Sequence, residues 1–294
     1  MCITTGDFGS LGSETNYNQS YDPAILVPIN RQENRASLKP DDSIFQNFNF
    51  SGHDQWTVYE ASWLNFKGRP LCAILDIHIP ADSPNTVESK SLKLYLNSLN
   101  QQKFDSPEKY THLLCNDLSG LCGAPVEIHC FALNGELFAS STKNTLGNAA
   151  RPLATAADDT GYLCLDTLDI ALDSFQPTPA LLSTKAVTAE KKLCSHLFRS
   201  NCPVTNQPDW ASIFVSYSGP EIEPESLLAY LCSYRQHMGF HEHCIEQIFL
   251  DLLSHCQCKK LSVEGRFLRR GGIDINPFRS NCNGEPLGVR MPRQ

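Results

Sequence analysis

The chain has 294 residues, 41% of them hydrophobic, and its longest apolar runs fall far short of the ~20 residues that span a bilayer, which excludes disorder, collagen, coiled coil and a transmembrane helix. Thirteen cysteines form an odd set, sparser than the ~8–10% of disulfide scaffolds; with neither a basic cluster nor an apolar run in residues 1–13, they read as thiols of a cytoplasmic protein. Lys and Arg number 24 against 32 Asp and Glu, a net charge of −8 that repels a phosphate backbone and argues against nucleic acid as a partner.

Residues 1–45 are rich in Asn, Ser, Gly and Asp, with one apolar island at 24–29, and are expected to form an extended N-terminal arm. Residues 56–80 have strand-like composition broken at 67–70, the pattern of a β-hairpin. In the segment 88–102, Leu92, Tyr95, Leu96 and Leu99 fall on one helical face; 107–118 is a second candidate helix, and 126–133 is strand-like again. Connecting material is expected over 151–185, from the Ala, Thr and Asp of 147–160 and the stretch 176–179. A second unit over 186–294 then shows a strand at 210–217, helices at 225–237 and 242–254, and a strand at 261–267.

That order repeats the order of 46–150. Tyr95 and Tyr230 lie 135 residues apart, and the same offset places Glu88 on Glu223, Ser91 on Ser226, Leu92 on Leu227, Leu96 on Leu231 and Ser98 on Ser233. Further on it places Leu113 on Ile248, Leu114 on Phe249 and Leu118 on Leu253. The chain therefore reads as a duplicated α+β unit. Function is expected where the two copies differ.

Cys202 sits in a polar, proline-punctuated loop ahead of a strand, where nucleophiles are commonly presented, whereas Cys72, Cys130, Cys164 and Cys232 lie in apolar periodic segments. Pro203 has no backbone N–H, so the amide just after the sulfur cannot serve an oxyanion hole. Asp209 follows seven residues later, and a carboxyl beside a thiol gives or takes a proton during attack. His241 and Glu242 open a helix, where both reach into a cleft or Glu242 merely favours the first turn. His237, His241, His243, Cys244, His255, Cys256 and Cys258 crowd one stretch, but a single residue separates Cys256 from Cys258 where zinc sites use two to four, so no metal is expected. No GxGxxG or Walker pattern occurs.

The string Glu88-Ser89-Lys90-Ser91-Leu92-Lys93-Leu94-Tyr95 closely resembles the signature of the QueF nitrile reductases, which convert 7-cyano-7-deazaguanine to 7-aminomethyl-7-deazaguanine with NADPH in queuosine biosynthesis. Tyr59-Glu60, Ser62-Trp63-Leu64-Asn65, Ser200-Asn201-Cys202, Gln207-Pro208-Asp209-Trp210, Phe240-His241-Glu242 and Arg269-Arg270-Gly271-Gly272 also look like the two-module branch of that family, so the resemblance covers roughly 20–285. It implies a tunnelling fold (T-fold) in each half, antiparallel sheets backed by helices, and a homodimer. It further implies that Cys202 attacks the nitrile carbon to give a thioimide and that Asp209 supplies a proton. Val87, Glu88 and Ser89, with His241 and Glu242, would bind the deazaguanine ring; Ser89, Lys90, Arg270 and Gly271 would hold NADPH. The competing readings are a zinc-dependent pterin-type cyclohydrolase, a cysteine hydrolase acting on a purine-like nitrile, and a purine-binding module without catalysis.

Overall fold

The computed structural model describes residues 20–36, 38, 51–141 and 160–294. Of the expected arm, residues 1–19, 37 and 39–45 lie outside the described residues, as does the connecting stretch 147–159. The described part of the arm carries strand β1 (Pro28–Asn30) and the short helix α1 (Arg31–Arg35). Its apolar island accounts for the docking. Leu26 is buried in the first core, Tyr21 and Ile25 pack against it, and the Tyr21 hydroxyl donates to Asp117 at 2.9 Å.

The first half then runs β2 (Ser51–Asn65), β3 (Pro70–Pro80), β4 (Asn85–Val87), α2 (Ser89–Ser98), β5 (Lys103–Phe104), α3 (Pro107–Cys122), β6 (Glu127–Phe131) and β7 (Leu137–Ser140). β4 pairs antiparallel with β1, so the arm is stitched to the strand that leads into α2. Local signals set the helix ends. Glu88 caps α2 by accepting from the amides of Lys90 and Ser91; Ser106 caps α3 ahead of Pro107, and Gly123 ends it at φ 68°. The expected face of α2 is the buried one, with Leu92, Tyr95 and Leu99 fully enclosed; each such side chain contributes about 2 kcal/mol of apolar burial.

The second half repeats the layout with β8 (Leu163–Cys164), β9 (Thr184–Asn201), β10 (Pro208–Ile222), α4 (Pro224–Ser233), α5 (His241–Cys256), β11 (Lys260–Phe267) and β12 (Ile273–Ser280). Apart from the two-stranded β1–β4 sheet, the strands form one sheet in the order β7-β6-β3-β2-β12-β11-β10-β9-β8, antiparallel except that β8 runs parallel to β9 and β5 pairs parallel at the end of β2. The halves join where β2 pairs with β12, Ser51 opposite Ser280 through Val58 opposite Ile273.

The offset of 135 carries α2 onto α4 residue for residue, and their hydrogen bonds repeat with it. Ser91 Oγ donates to Glu88 O at 2.7 Å, and Ser226 Oγ to Glu223 O at 2.8 Å. Tyr95 and Tyr230 each donate to an aspartate on the following helix, Asp117 and Asp251, at 2.5 Å; these stand 134 apart, so in the second helix pair the expected offset is corrected by one residue, with buried Leu114 and Leu118 answering to Ile248 and Leu252. This is the duplicated antiparallel α+β layer expected from the sequence.

Two expectations are corrected. Cys72 and Cys164 are exposed, because each lies at a strand position turned away from the apolar cores. Nor is the described arm merely extended: Arg31 is buried against Asp54 at 2.6 Å, and Arg35 meets Glu246 of α5 at 2.6 Å. Arg279, fully buried, completes the network by bridging Asp54 and Glu246 at 2.8 Å each. These ion pairs lock the arm, the β2–β12 seam and α5 together beneath the cleft described next.

Candidate active site

Where the two halves meet, an open cleft of about 400 Å³ is lined from both sides. Ile29 of β1, Trp56 of β2, Val87 of β4, Glu88 at the cap of α2 and Ser89 in its first turn come from the first half and the arm. The loop Cys202-Pro203-Val204, Asp209 of β10, the α5 residues His241 and Glu242, Arg270 and Ile275 come from the second. The expected site residues Val87, Glu88, Ser89, Cys202, Asp209, His241, Glu242 and Arg270 thus share one cavity.

Cys202 stands at the mouth of a tight turn: its amide donates to Gln207 O at 2.9 Å, and the Asn206 amide donates back to Cys202 O at 2.9 Å. Burial alone would raise its thiol. Hydrogen bonds from the Thr205 hydroxyl and amide, from the Val204 amide and from Arg270 outweigh that and hold it below the ordinary cysteine value. The consequence of Pro203 follows: it removes one donor, and the next two amides in the turn take over the sulfur. The buried cysteines behave oppositely; burial pushes Cys130, Cys194, Cys244, Cys256 and Cys258 up to about 12.

Asp209 is 2% exposed and faces two cations or potential cations. Arg270 Nε stands 2.9 Å from Oδ1, and His241 Nε2 stands 3.3 Å from Oδ2. Both contacts are ion-pair distances without well-directed hydrogen-bond geometry, so Asp209 Oδ1 and His241 Nε2 are held by charge more than by direction. Arg270 also donates to Gln207 Oε1 at 2.6 Å, which ties the Arg-Gly-Gly turn to the loop of the sulfur. His241 is braced from behind by Phe267, ring centroids 4.1 Å apart.

The two glutamates of the pocket differ. Glu88 spends one lone pair of each oxygen on capping, at 2.9 Å from the Lys90 amide and 2.7 Å from the Ser91 amide, which fixes its orientation and leaves acceptor sites free. Glu242 lies at the open end of α5, where Phe240 supplies no side-chain cap. It is 7% exposed, and burial followed by the negative charge of Asp54 raises its carboxyl to about 6. His241, its own backbone amide at the helix start and Arg31 only partly offset that rise.

Sequence reasoning passed over Lys93 as a site residue. Its methylene chain lies against Gly271, and burial together with the Arg270 charge holds its ammonium below the usual lysine range, against the pull of Glu88, Asp209 and Cys202. The signal was available, since Lys93 stands one helical turn beyond Ser89. Gly271 and Gly272 adopt φ of 57° and 81°, and a side chain on Gly272 would strike Glu60 at 2.7 Å, so the turn needs glycine twice. Lys90 is exposed and does not line the cleft.

Comparison with known proteins places the chain as a whole. Residues 17–130 match the family model described as nitrile reductase, 7-cyano-7-deazaguanine-reductase N-term, and 208–286 match that described as QueF-like protein. The chain is 43% identical over 291 residues to the NADPH-dependent 7-cyano-7-deazaguanine reductase of Chromohalobacter salexigens, covering 99% of this chain and 98% of that one. It is 45% identical to the protein of the same name in Hydrogenovibrio crunogenus, again over 99% and 98%, and 45% identical to that of Ralstonia nicotianae over 97% of each. Among solved structures, the archaeosine synthase QueF-Like in the apo form aligns with 35% of this chain at 16% identity and a TM-score of 0.29.

Proposed function

The chain belongs to the QueF family of nitrile reductases, and on that premise we propose that Cys202 is its nucleophile, Asp209 its proton carrier and Glu242 its principal reader of the substrate ring. The protein reduces the nitrile of 7-cyano-7-deazaguanine to the primary amine with NADPH; the cyclohydrolase and hydrolase readings give way to it. The observation that carries the residue assignment is the convergence of a thiol held below its usual value, a buried carboxylate and a poised glutamate in one cleft.

In this reading Asp209 takes the proton of the Cys202 thiol as sulfur adds to the nitrile carbon, and returns it to the nitrogen as the triple bond becomes a C=N double bond. The amides of Val204 and Thr205 hold the sulfur before attack and again after the C–S bond breaks. NADPH supplies hydride, twice in succession. Lys93 and Arg270 suit its phosphates, since their two cations outnumber the single Asp209 charge that Arg270 already faces; Ser89 and Gly271, with the exposed Lys90 outside the cleft, would lie along the same path. Glu88 and Glu242 accept from the ring N–H and amine donors, with Val87, Ser89 and His241 around them. The apolar walls Ile29, Trp56 and Ile275 keep water from the imine that waits between the two reductions. The stoichiometry tests this: about two NADPH oxidised per amine formed. A ratio near one, or release of acid or amide, contradicts it.

We assign 46–150 and 186–294 to two modules that share this site, joined by 151–185. The open edges of the sheet carry exposed apolar side chains, Leu137 and Phe138 on β7 and Leu163 on β8, which supports a homodimer formed through those edges. Sedimentation equilibrium at micromolar concentration is expected to give the dimer mass; a monomer there refutes it. Free thiols throughout the described residues suit the reducing cytoplasm, and none of their helices is long and apolar enough to cross a membrane.

A further inference from the structure

Two thiols and an imidazole meet at the β8 edge of the sheet, and the nitrile reduction uses none of them. β8 runs parallel to β9 with Cys164 in register with Cys194, and His196 follows Cys194 by two residues. One ligand atom from each of the three lies within 4.8 Å of the others. The ligand atoms around a tetrahedral zinc ion stand about 4 Å apart, so a small inward movement would close the set on one ion.

The surroundings suit such a role. His196 Nδ1 lies 2.8 Å from the buried hydroxyl of Ser212, which fixes the ring and leaves Nε2 to a metal, the arrangement by which outer-shell partners orient metal-binding imidazoles. Asp166 accepts from Ser195 Oγ at 2.7 Å and from the His196 amide at 3.0 Å, pinning the strand between the two β9 ligands. Cys194 is buried while Cys164 is exposed, so an ion reaches the site from solvent and ends against a rigid strand.

We propose that Cys164, Cys194 and His196 bind a thiophilic divalent cation of the zinc class, clipping the segment between the halves to the edge of the second sheet. Binding displaces the two thiol protons to solvent and forms two metal–sulfur bonds and one metal–nitrogen bond, with no change of oxidation state. A fourth position stays open to water. The site is structural and separate from the reaction, six residues before Cys202 at its nearest ligand.

The test is titration of the full-length, metal-stripped protein, reduced with a phosphine, with Co²⁺ and then Zn²⁺. The expected result is about one equivalent of Co²⁺ showing the thiolate charge-transfer band of a tetrahedral site, displaced by Zn²⁺. The band should survive Cys202→Ala, vanish in Cys164→Ser and in Cys194→Ser, and weaken in affinity about 10-fold in Ser212→Ala. Cys164 is exposed, so its variant stays informative even if the buried Cys194 variant misfolds. No saturable band, a band that persists in Cys164→Ser, or one lost with Cys202 overturns the proposal. So does a 2 Da mass loss from a Cys164–Cys194 disulfide under the same reducing conditions.

Discussion

Replacing Cys202 by Ala stops turnover: kcat falls on the order of 10⁴-fold or more, while thermal stability stays within about 1 kcal/mol of the parent. The size follows from the chemistry. A nitrile is a weak electrophile that calls for a strong nucleophile, and among the residues that line the cleft Cys202 is the single sulfur. The stability estimate follows from placement: the side chain is only partly buried, in a loop outside both cores, so its loss leaves no cavity. Steady-state NADPH oxidation alongside a melt checks both halves of the statement. A variant that melts normally and keeps more than about 1% of the parental kcat removes Cys202 from the reaction.

Glu242→Gln carries the second large effect, in two opposite directions. Substrate reading weakens, with kcat/KM falling about 10²- to 10³-fold, because hydrogen bonds to an ionised acceptor are worth roughly 1.5–3 kcal/mol each and an amide offers a donor where an acceptor is needed. The free protein becomes more stable at pH 7, by on the order of 1–2 kcal/mol. Burial, then Asp54, raises the folded-state value to about 6, above the ordinary 4.5. The stabilising contribution of the protonated form is therefore full below about 4.5 and is lost as pH rises through about 6. Above that, the ionised carboxylate waits buried until ring donors satisfy it. Substrate affinity accordingly climbs as pH rises through about 6 and then levels, and binding near pH 6 releases a proton. Calorimetry in buffers of different ionisation heat, with the variant as reference, measures this release; a flat affinity between pH 5 and 7 in the parent contradicts it.

The repeat was legible because it is written in polar residues as well as apolar ones. Ser91, Tyr95 and Ser98 make the same hydrogen bonds as Ser226, Tyr230 and Ser233, so the offset of 135 holds over α2 and α4; the loop after α4 is one residue shorter, and Asp117 and Asp251 stand 134 apart. β9 and β12 were not read as strands, for two different physical reasons. The first half of β9, from Thr184 to Glu190, is exposed and charged, with no buried face to impose alternation. β12 is buried on both faces, since the chain end folds over it and Gln294 donates to Asn276 at 2.6 Å, so polar residues there are enclosed rather than alternating outward.

In the cleft, Cys202 and Asp209 were singled out from their neighbours in the chain, whereas Glu242 was expected there only through the family resemblance. What stayed hidden depends on distant pairing. Arg270, expected at the cofactor, also grips Asp209 and Gln207, and Ile29 of the arm reaches the pocket because β1 pairs with β4. No local pattern encodes either contact.

The account rests on a bond between Cys202 sulfur and the nitrile carbon, and intact-protein mass spectrometry with peptide mapping tests that bond directly. Incubated with 7-cyano-7-deazaguanine in the absence of NADPH, the protein is expected to gain one substrate mass, located on the peptide that carries Cys202 and lost on adding NADPH. Saturating substrate with no mass gain, or a gain located on another cysteine, contradicts it.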